Sequence, residues 1–276
     1  MAGSPLITTS RHRSVNAARR LAKRAFRRED GRFLVEGPTG VTEALAEPGA
    51  LLELFATPEA ASRYAELLAT AGQADVVIHS VTPSVLAELA QTVTPQGLIG
   101  VAGLRDQPLE QVLALRPRLV VVLANVRDPG NAGTILRTAD AAGADAVIFT
   151  DASVDPYNPK CVRSSAGSVF HVPFVVGVSL PTAIPQMRGA GLHVIATSGA
   201  GAVDLYSAEL SGPVAWVFGN EAWGLPEELS ELADQSVRVP IHGRAESLNL
   251  ATAAAVCLYA SARAQRGTGG CRGDGS

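Results

Sequence analysis

The sequence predicts an α/β fold in two parts, and three observations predict it. Short β-branched apolar runs alternate with helix-period segments along the whole 276-residue chain, as strands joined by crossover helices require. Residues 119–150, LVVVLANVRDPGNAGTILRTADAAGADAVIFT, read as one complete strand, loop, helix, strand unit of a parallel sheet. The basic residues are segregated: Arg11, Arg13, Arg19, Arg20, Lys23, Arg24, Arg27, Arg28 and Arg32 fall in one short segment of a chain whose net charge is −3.

Residues 1–10 carry no periodicity and are expected to be mobile. Val15, Ala18, Leu21, Ala22, Ala25 and Phe26 then recur at helical spacing with arginines on the other face, which predicts one basic amphipathic helix over 15–28. RFLVE at 32–36 predicts a strand, Gly37 and Pro38 a turn, and 39–45 a helix ended by Pro48 and Gly49. Residues 51–56, 76–80 and 97–101 are further strands with helical segments between them. Residues 1–105 therefore make a small α/β domain. Residues 106–117, with Pro108 and Pro117, read as a linker, 118–267 as a second domain, and the Gly-rich 268–276 as a disordered tail.

In the second domain 120–123 is a buried strand, and Asn125, Arg127, Asp128, Pro129, Gly130, Asn131 and Gly133 form the loop after it. A helix is predicted from about 134 to 142, with Gly143 as its stop, and a strand over 146–149. Parallel sheets bind ligands at the carboxyl ends of their strands. Asn125 to Asn131 fall there, with Arg137 one to two turns into the helix. A turn-rich loop over 151–158 precedes a short helix within 161–170, a strand over 172–176, a helix over 181–189 and a strand over 192–197. The strand at 214–218 runs into GNEAWGLP, the strand at 237–241 runs into HGRAESLN, and an alanine-rich helix follows over 248–264.

Composition narrows the classes. At 47% hydrophobic the chain has enough apolar residues for sizeable cores, yet no uninterrupted run is long enough to span a membrane and no signal-peptide core opens it, so a soluble, cytoplasmic protein is expected. Cys161, Cys257 and Cys271 are too few and scattered for a disulfide framework or zinc site; two read as packing residues and Cys271 as a free thiol on the tail. His12, His79, His171, His193 and His242 are singletons, so no metal site is expected. GxxxxGK[ST] is absent, GAGAVD at 199–204 lacks the third glycine of a dinucleotide fingerprint, and Ser247 lies in AESLN rather than GxSxG. The basic segment is an electrostatic footprint for phosphates. A solvated helix face is the duller reading; the scarcity of basic residues elsewhere favours RNA.

Taken together, NVRDPGNAGTILRTADAAG, VFGNEAWGL and VPIHGRAESLNLATAAA resemble the three signature motifs of the SpoU, or TrmH-like, branch of the SPOUT RNA 2′-O-ribose methyltransferases, in the family's order and approximate spacing over about residues 119–266. Each alone has a plainer reading: Asn131 as a helix cap, Glu221 as a surface residue, Ser247 and Asn249 as a capping pair. The resemblance implies a parallel-sheet SPOUT domain whose C-terminal segment threads a loop into a deep trefoil knot, where general topology rules alone predict an unknotted sheet. It implies S-adenosylmethionine held by Thr197, Ser198, Gly199, Gly219, Asn220, Val239, Ile241 and Leu248. Arg137 is implied at the centre of catalysis, Asn131 to orient it or the ribose, Glu221 to fix the arginine or the loop, and Ser247 and Asn249 to complete the site. A guanidinium is hard to deprotonate, so gripping the target phosphate and polarising the hydroxyl suits Arg137 better than acting as a base.

The amino-terminal part resembles the family's substrate-binding domain, related to small ribosomal RNA-binding proteins, through Arg32, Phe33, Glu36 and Gly37 in RFLVEG and Gln96 and Gly97 in TPQG. Arg19, Arg20, Arg24, Arg27, Arg32 and Glu36 are the expected RNA contacts. A homodimer is implied too, and Leu248, Ala251, Ala255, Leu258 and Ala262 form a small-residue seam on the last helix that core packing explains equally well. The implied activity is metal-free methyl transfer to a ribose 2′-hydroxyl, in 23S ribosomal RNA. A transfer RNA 2′-O-methyltransferase and a non-catalytic RNA-binding module are the alternatives.

Overall fold

The computed structural model describes residues 5–267, which pack as two units: those up to Arg105 together with Tyr157–Phe170, and Asp106–Pro156 with the residues from His171 onward. In the first unit the elements run α1 (Arg13–Arg20), α2 (Arg24–Asp30), β1 (Arg32–Glu36), α3 (Pro38–Ala46), β2 (Leu51–Ala56), α4 (Pro58–Arg63), α5 (Ala65–Gln73), β3 (Val77–Ser80), α6 (Pro83–Leu89) and β4 (Leu98–Gly103). The strands form one sheet in the order β1-β4-β2-β3, with β4 antiparallel to both neighbours and β2 parallel to β3. Proline in the first turn begins α3, α4 and α6, and the Thr57 and Thr82 side chains accept from Ala60 N–H and Val85 N–H to cap the latter two. Leu34, Phe55 and Ile99 of the sheet pack against Val15, Ala18 and Leu86 of the helices.

Two expectations for this unit are corrected. The helix expected over 15–28 is two helices, because Lys23 is extended at φ −99°, ψ 134°. A straight helix would put Ala25 on the buried stripe; the break leaves Ala25 exposed and turns Arg27 inward. There its Nη1 donates to the carbonyls of Leu21 and Ala22, both at 2.9 Å, satisfying groups that the break has freed. The segment before residue 10 is not mobile throughout. Ile7 is buried and bridges to Val81, its N–H donating to Ser80 O at 2.8 Å and its carbonyl accepting from Thr82 N–H at 3.1 Å.

The second unit begins with α7 (Leu109–Ala114), β5 (Leu119–Leu123), α8 (Pro129–Ala142) and β6 (Ala146–Thr150). Next in sequence is α9 (Pro159–Ser164), which belongs to the first unit, and the second unit resumes with β7 (Phe174–Val178), α10 (Leu180–Gly189), β8 (His193–Thr197), β9 (Val203–Asp204), β10 (Val214–Phe218), α11 (Glu227–Ser230), β11 (Gln235–Arg238) and α12 (Leu250–Gly267). All seven strands are parallel, in the order β7-β6-β5-β10-β8-β11-β9. β5, β6 and β10 are buried at every position, as strands covered on both faces must be.

The stretch read as a linker carries α7, whose Leu109, Val112 and Leu113 are buried against Val120, Val122 and Met187 of the second unit. Pro108 is the residue before this helix, not a break in it. Tyr157–Phe170 groups with the first unit, where the Phe33 ring lies 4.7 Å from that of Tyr157 and 5.9 Å from that of Phe170. Of the helix expected within 161–170 only 161–164 are helical, as the second part of α9. α8 starts at Pro129 because Asp128 accepts from Asn131 N–H at 2.8 Å; Pro129 and Gly130, which read as loop residues, sit in its first turn. β11 ends at Arg238, so Val239 and Ile241 lie beyond the strand.

Ala251, Leu258 and Ala262 of the expected seam are buried inside the unit with Ala254, Cys257 and Ser261, and Trp216 Nε1 donates to Ser261 Oγ at 2.8 Å. Burial pushes the Cys257 thiol up to about 12, so Cys257 is a packing residue, as is buried Cys161. Cys271 and the tail at 268–276 lie outside the described residues. Among the described residues no helix is long and apolar enough to cross a membrane.

Candidate functional site

Loops leaving β5, β8, β10 and β11 meet at the carboxyl ends of adjacent strands of the second unit's sheet. After β5 the chain turns at Asn125, which takes φ 61°, a left-handed conformation that asparagine tolerates. Its carbonyl accepts from Asn220 Nδ2 at 2.9 Å, which ties the β5 loop to the β10 loop. Ser153 holds the same turn from beneath, donating to Leu123 O at 2.7 Å and accepting from Val126 N–H at 3.2 Å while buried.

The β10 loop is closed by a pair of backbone bonds: Asn220 N–H to Gly224 O at 2.8 Å and Gly224 N–H to Asn220 O at 2.9 Å. Gly219 must be glycine for this closure, since a Cβ there would lie 2.3 Å from the Gly224 carbonyl carbon. The closed loop aims Glu221 at the start of α8. Its carboxylate accepts from Arg127 N–H at 3.2 Å, from Asp128 N–H at 2.9 Å and from Asn131 Nδ2 at 3.4 Å. Asn131 Oδ1 in turn accepts from Asn249 Nδ2 at 3.1 Å. Asn249 also caps α12, its Oδ1 accepting from Ala251 N–H at 2.9 Å and Thr252 N–H at 3.3 Å. Asn131, Glu221 and Asn249, one from each polar stretch, are thus joined directly.

Beside this network opens a cavity of about 400 Å³. All eight residues expected to hold a cofactor line it: Thr197, Ser198, Gly199, Gly219, Asn220, Val239, Ile241 and Leu248. Glu221 and Ser247 line it as well, and Ser247 is exposed with no hydrogen bond to any described residue. Thr197 Oγ1 donates to Val217 O at 3.1 Å, and Ser198 N–H to Val237 O at 3.0 Å, which fix that wall to its neighbours. Trp223, Leu225 and Glu246, which the sequence reading did not single out, also line the cavity. The aromatic residue inside GNEAWGL was the available signal for the first of them.

Arg137 is placed differently. It is exposed on α8, makes no hydrogen bond or ion pair with any described residue, and is not part of the cavity lining. Neither Asn131 nor Glu221 hydrogen-bonds to it; both are committed to the loop network. Among the described residues no group of three or more His, Cys, Asp or Glu is arranged to hold a metal ion.

Of the residues expected to contact RNA, Arg27 is buried and lacks the exposure a phosphate contact needs. Arg19 pairs with Glu88 at 3.1 Å, and Arg20 pairs with Glu29 at 3.3 Å while lying 4.1 Å over the Phe26 ring. Arg32 pairs with Glu53 at 3.0 Å. Exposed pairs of this kind are worth about 0–1 kcal/mol, so these arginines exchange partners cheaply. Arg24 is exposed and unpaired among the described residues. Glu36 is tied internally, accepting from Gln91 N–H at 3.1 Å, Arg163 Nη1 at 3.3 Å and the Thr92 hydroxyl.

Comparison with known proteins adds to this geometry. Residues 118–259 match the family described as the SpoU rRNA Methylase family, and residues 12–100 match an MRM3-like substrate binding domain. The chain is 34% identical to the 23S rRNA (guanosine(2553)-2′-O)-methyltransferase RlmP of Bacillus subtilis, over 92% of this chain and 97% of the relative. It is 31% identical to a 23S rRNA (uridine(2479)-2′-O)-methyltransferase of Streptomyces viridochromogenes, over 88% and 86%. A solved AdoMet-bound rRNA methyltransferase from Sinorhizobium meliloti superposes with a TM-score of 0.83 at 34% identity, covering 94% of this chain and 97% of that one.

Proposed function

The chain belongs to the SpoU rRNA Methylase family, and from that premise we propose that it is an S-adenosylmethionine-dependent methyltransferase acting on a ribose 2′-hydroxyl of 23S ribosomal RNA. One observation carries the reading: the bonded trio Asn131, Glu221 and Asn249 stands beside a cavity lined by every residue expected to hold the cofactor. The cavity fits that group. Its volume lies within the range of about 300–1,000 Å³ usual for small-molecule sites. Val239, Ile241 and Leu248 offer apolar surface for a flat ring, and the Gly199 backbone with the Ser198 and Ser247 hydroxyls offers polar groups for a ribose and a carboxylate.

When bound, S-adenosylmethionine supplies a methyl group activated by the sulfonium charge beside it. The residues of the chain have to bring the 2′-oxygen into line with that methyl and polarise the hydroxyl, so that its proton passes to solvent water as the new C–O bond forms and the C–S bond breaks. Glu221 spends its carboxylate on two backbone amides and Asn131, which supports a positioning role rather than that of the base. Asn131, held at both ends of its amide, presents a fixed edge to the ribose. Ser247, unpartnered at the cavity wall, is suited to a ribose hydroxyl. The unpaired Arg137 guanidinium supports a grip on the adjoining phosphate that also polarises the hydroxyl. The displacement as written needs no metal. The exposed arginines of α1 and α2, in the part that matches a substrate-binding domain, support RNA capture by the first unit.

The reading includes a trefoil knot through the segment after β11, supported by family membership and by the convergence of the β8, β10 and β11 loops on one cavity. It includes a homodimer, supported by Arg137 standing outside the lining of its own chain's cavity, and a cytoplasmic setting where ribosomal RNA is available. Calorimetry should show S-adenosylmethionine binding without RNA, light scattering should give twice the chain's mass, and unmodified 23S transcript should accept a methyl on one ribose. Arg137→Ala should cut turnover at least about 100-fold, the lower end for loss of one electrostatic donor at the reacting group, with cofactor affinity unchanged. Transfer to a transfer RNA transcript instead would move the target. Cofactor-independent RNA binding with no transfer to either would leave an RNA-binding module.

A further inference from the structure

We propose that Trp223 is the platform on which the base of the target nucleotide stacks while its ribose is methylated; the proposal rests on the reading above and names a substrate contact within it. The chain has two tryptophans, and the fold treats them oppositely. Trp216 is fully buried in β10, whereas Trp223 is 64% exposed on the rim of the cavity. A tryptophan can bury 150–250 Å² on folding, roughly, and a pliant loop would fold such a ring inward.

This loop is not pliant. It is closed by the two backbone bonds between Asn220 and Gly224, its Ala222 N–H donates to Asn220 Oδ1 at 2.9 Å, and Glu221 is bonded to the start of α8. Leu225, two residues on, packs against the core of the second unit, whereas Trp223 belongs to no core cluster among the described residues and stays 64% exposed. The closed loop therefore holds a large aromatic surface outward beside Glu221, next to the cavity that Ser247 also lines.

The reaction supplies the occupant. A ribose whose 2′-oxygen is to align with an activated methyl must leave its stacked neighbours, and a splayed base regains the lost stacking on an aromatic side chain. Every base has a π-face, so a tryptophan serves without reading a base edge. The cofactor's own ring is better matched to Val239, Ile241 and Leu248 on the cavity wall.

The test uses the full-length protein, S-adenosylmethionine and unmodified 23S ribosomal RNA transcript. Trp223→Ala should raise KM for the RNA by about 5- to 150-fold, the range that loss of one base–aromatic stack corresponds to, with cofactor affinity unchanged, and Trp223→Phe should recover most of the loss. Tryptophan emission should be quenched by the RNA and not by cofactor alone, and the quench should vanish in Trp223→Phe, which retains only Trp216. An unchanged KM in Trp223→Ala overturns the proposal. So does quenching by cofactor alone. Shielding of Trp223 from acrylamide in RNA-free protein, together with a monomeric Trp223→Ala, would make the residue a seat for a second copy and overturn it too. If the wild-type protein binds cofactor yet methylates no RNA, the underlying activity fails with it, whereas transfer that persists in Trp223→Ala at wild-type KM fails this contact alone.

Discussion

Arg24 and Arg27 stand three positions apart with the same charge, and their surroundings give them opposite work. Arg24 is exposed and unpaired among the described residues, while buried Arg27 donates to the two carbonyls released where α1 gives way to α2. Removing Arg27 leaves those carbonyls without their donor, so Arg27→Ala should lower unfolding stability by about 1–3 kcal/mol in urea titration. It should barely change how RNA affinity depends on salt. Arg24→Ala should do the reverse, reducing the slope of log affinity against log salt by about 0.7 if the phosphate it grips is single-stranded. An Arg27→Ala protein of unchanged stability with a flattened salt slope would return that residue to the RNA surface. Asn131, Glu221, Ser247 and Asn249 were singled out by resemblance to the family's three motifs, since each alone has a plainer reading as a cap or surface residue. Arg27 was not legible as a staple, because its partners are carbonyls at a break that no residue pattern marks. Ser153 escaped for a similar reason: it acts on backbone groups about 27 and 30 positions away in the chain.

The start of α12 shows an element serving fold and site through one side chain. Asn249 caps the helix with its oxygen and holds Asn131 with its nitrogen, so of the capping pair the plain reading offered, Asn249 alone caps, and the same side chain reaches into the polar network. Substitution can separate them. Asn249→Asp keeps the capping oxygen and suits the positive end of the helix dipole, so thermal unfolding should move little. The donor to Asn131 is lost, and methyl transfer should fall. Asn249→Ala loses both contributions and should also cost about 1 kcal/mol of stability. Full turnover in Asn249→Asp would leave the residue a cap alone. Element type was readable from periodicity for the longer elements, but element ends were not: α8 begins five residues before its expected start because Pro129 and Gly130, breakers elsewhere, are accommodated in a first turn that Asp128 caps. α7 went unread because its three buried positions, Leu109, Val112 and Leu113, are too short a pattern to outweigh the prolines flanking it.

At the scale of the whole chain, alternation of strand and helix announces a parallel sheet but is silent on strand order, since β10 enters between β5 and β8 through pairings 95 positions apart, as in Val214 with Leu119. The same blindness to distant pairing hid the return of Tyr157–Phe170 to the first unit. That segment supplies five buried apolar side chains there: Tyr157, Cys161, Val162, Val169 and Phe170. Phe33, fully buried on β1, has two of them as its ring partners, and Arg105 N–H donates to the Tyr157 hydroxyl at 2.6 Å. A fragment ending at Arg105, the boundary that sequence alone suggests, would keep the four-stranded sheet but leave Phe33 without either ring. Returning a phenylalanine side chain to water costs about 1.5–3 kcal/mol, a large part of what a domain of this size has in reserve. The fragment should therefore unfold at markedly lower urea than the same fragment joined by a flexible linker to residues 157–170. Phe33→Ala should destabilise the joined form much more than the bare one, because only the joined form gives the ring something to pack against. Equal midpoints for the two fragments, with equal sensitivity to Phe33→Ala, would show that the returning segment rests on the first unit without being part of its core.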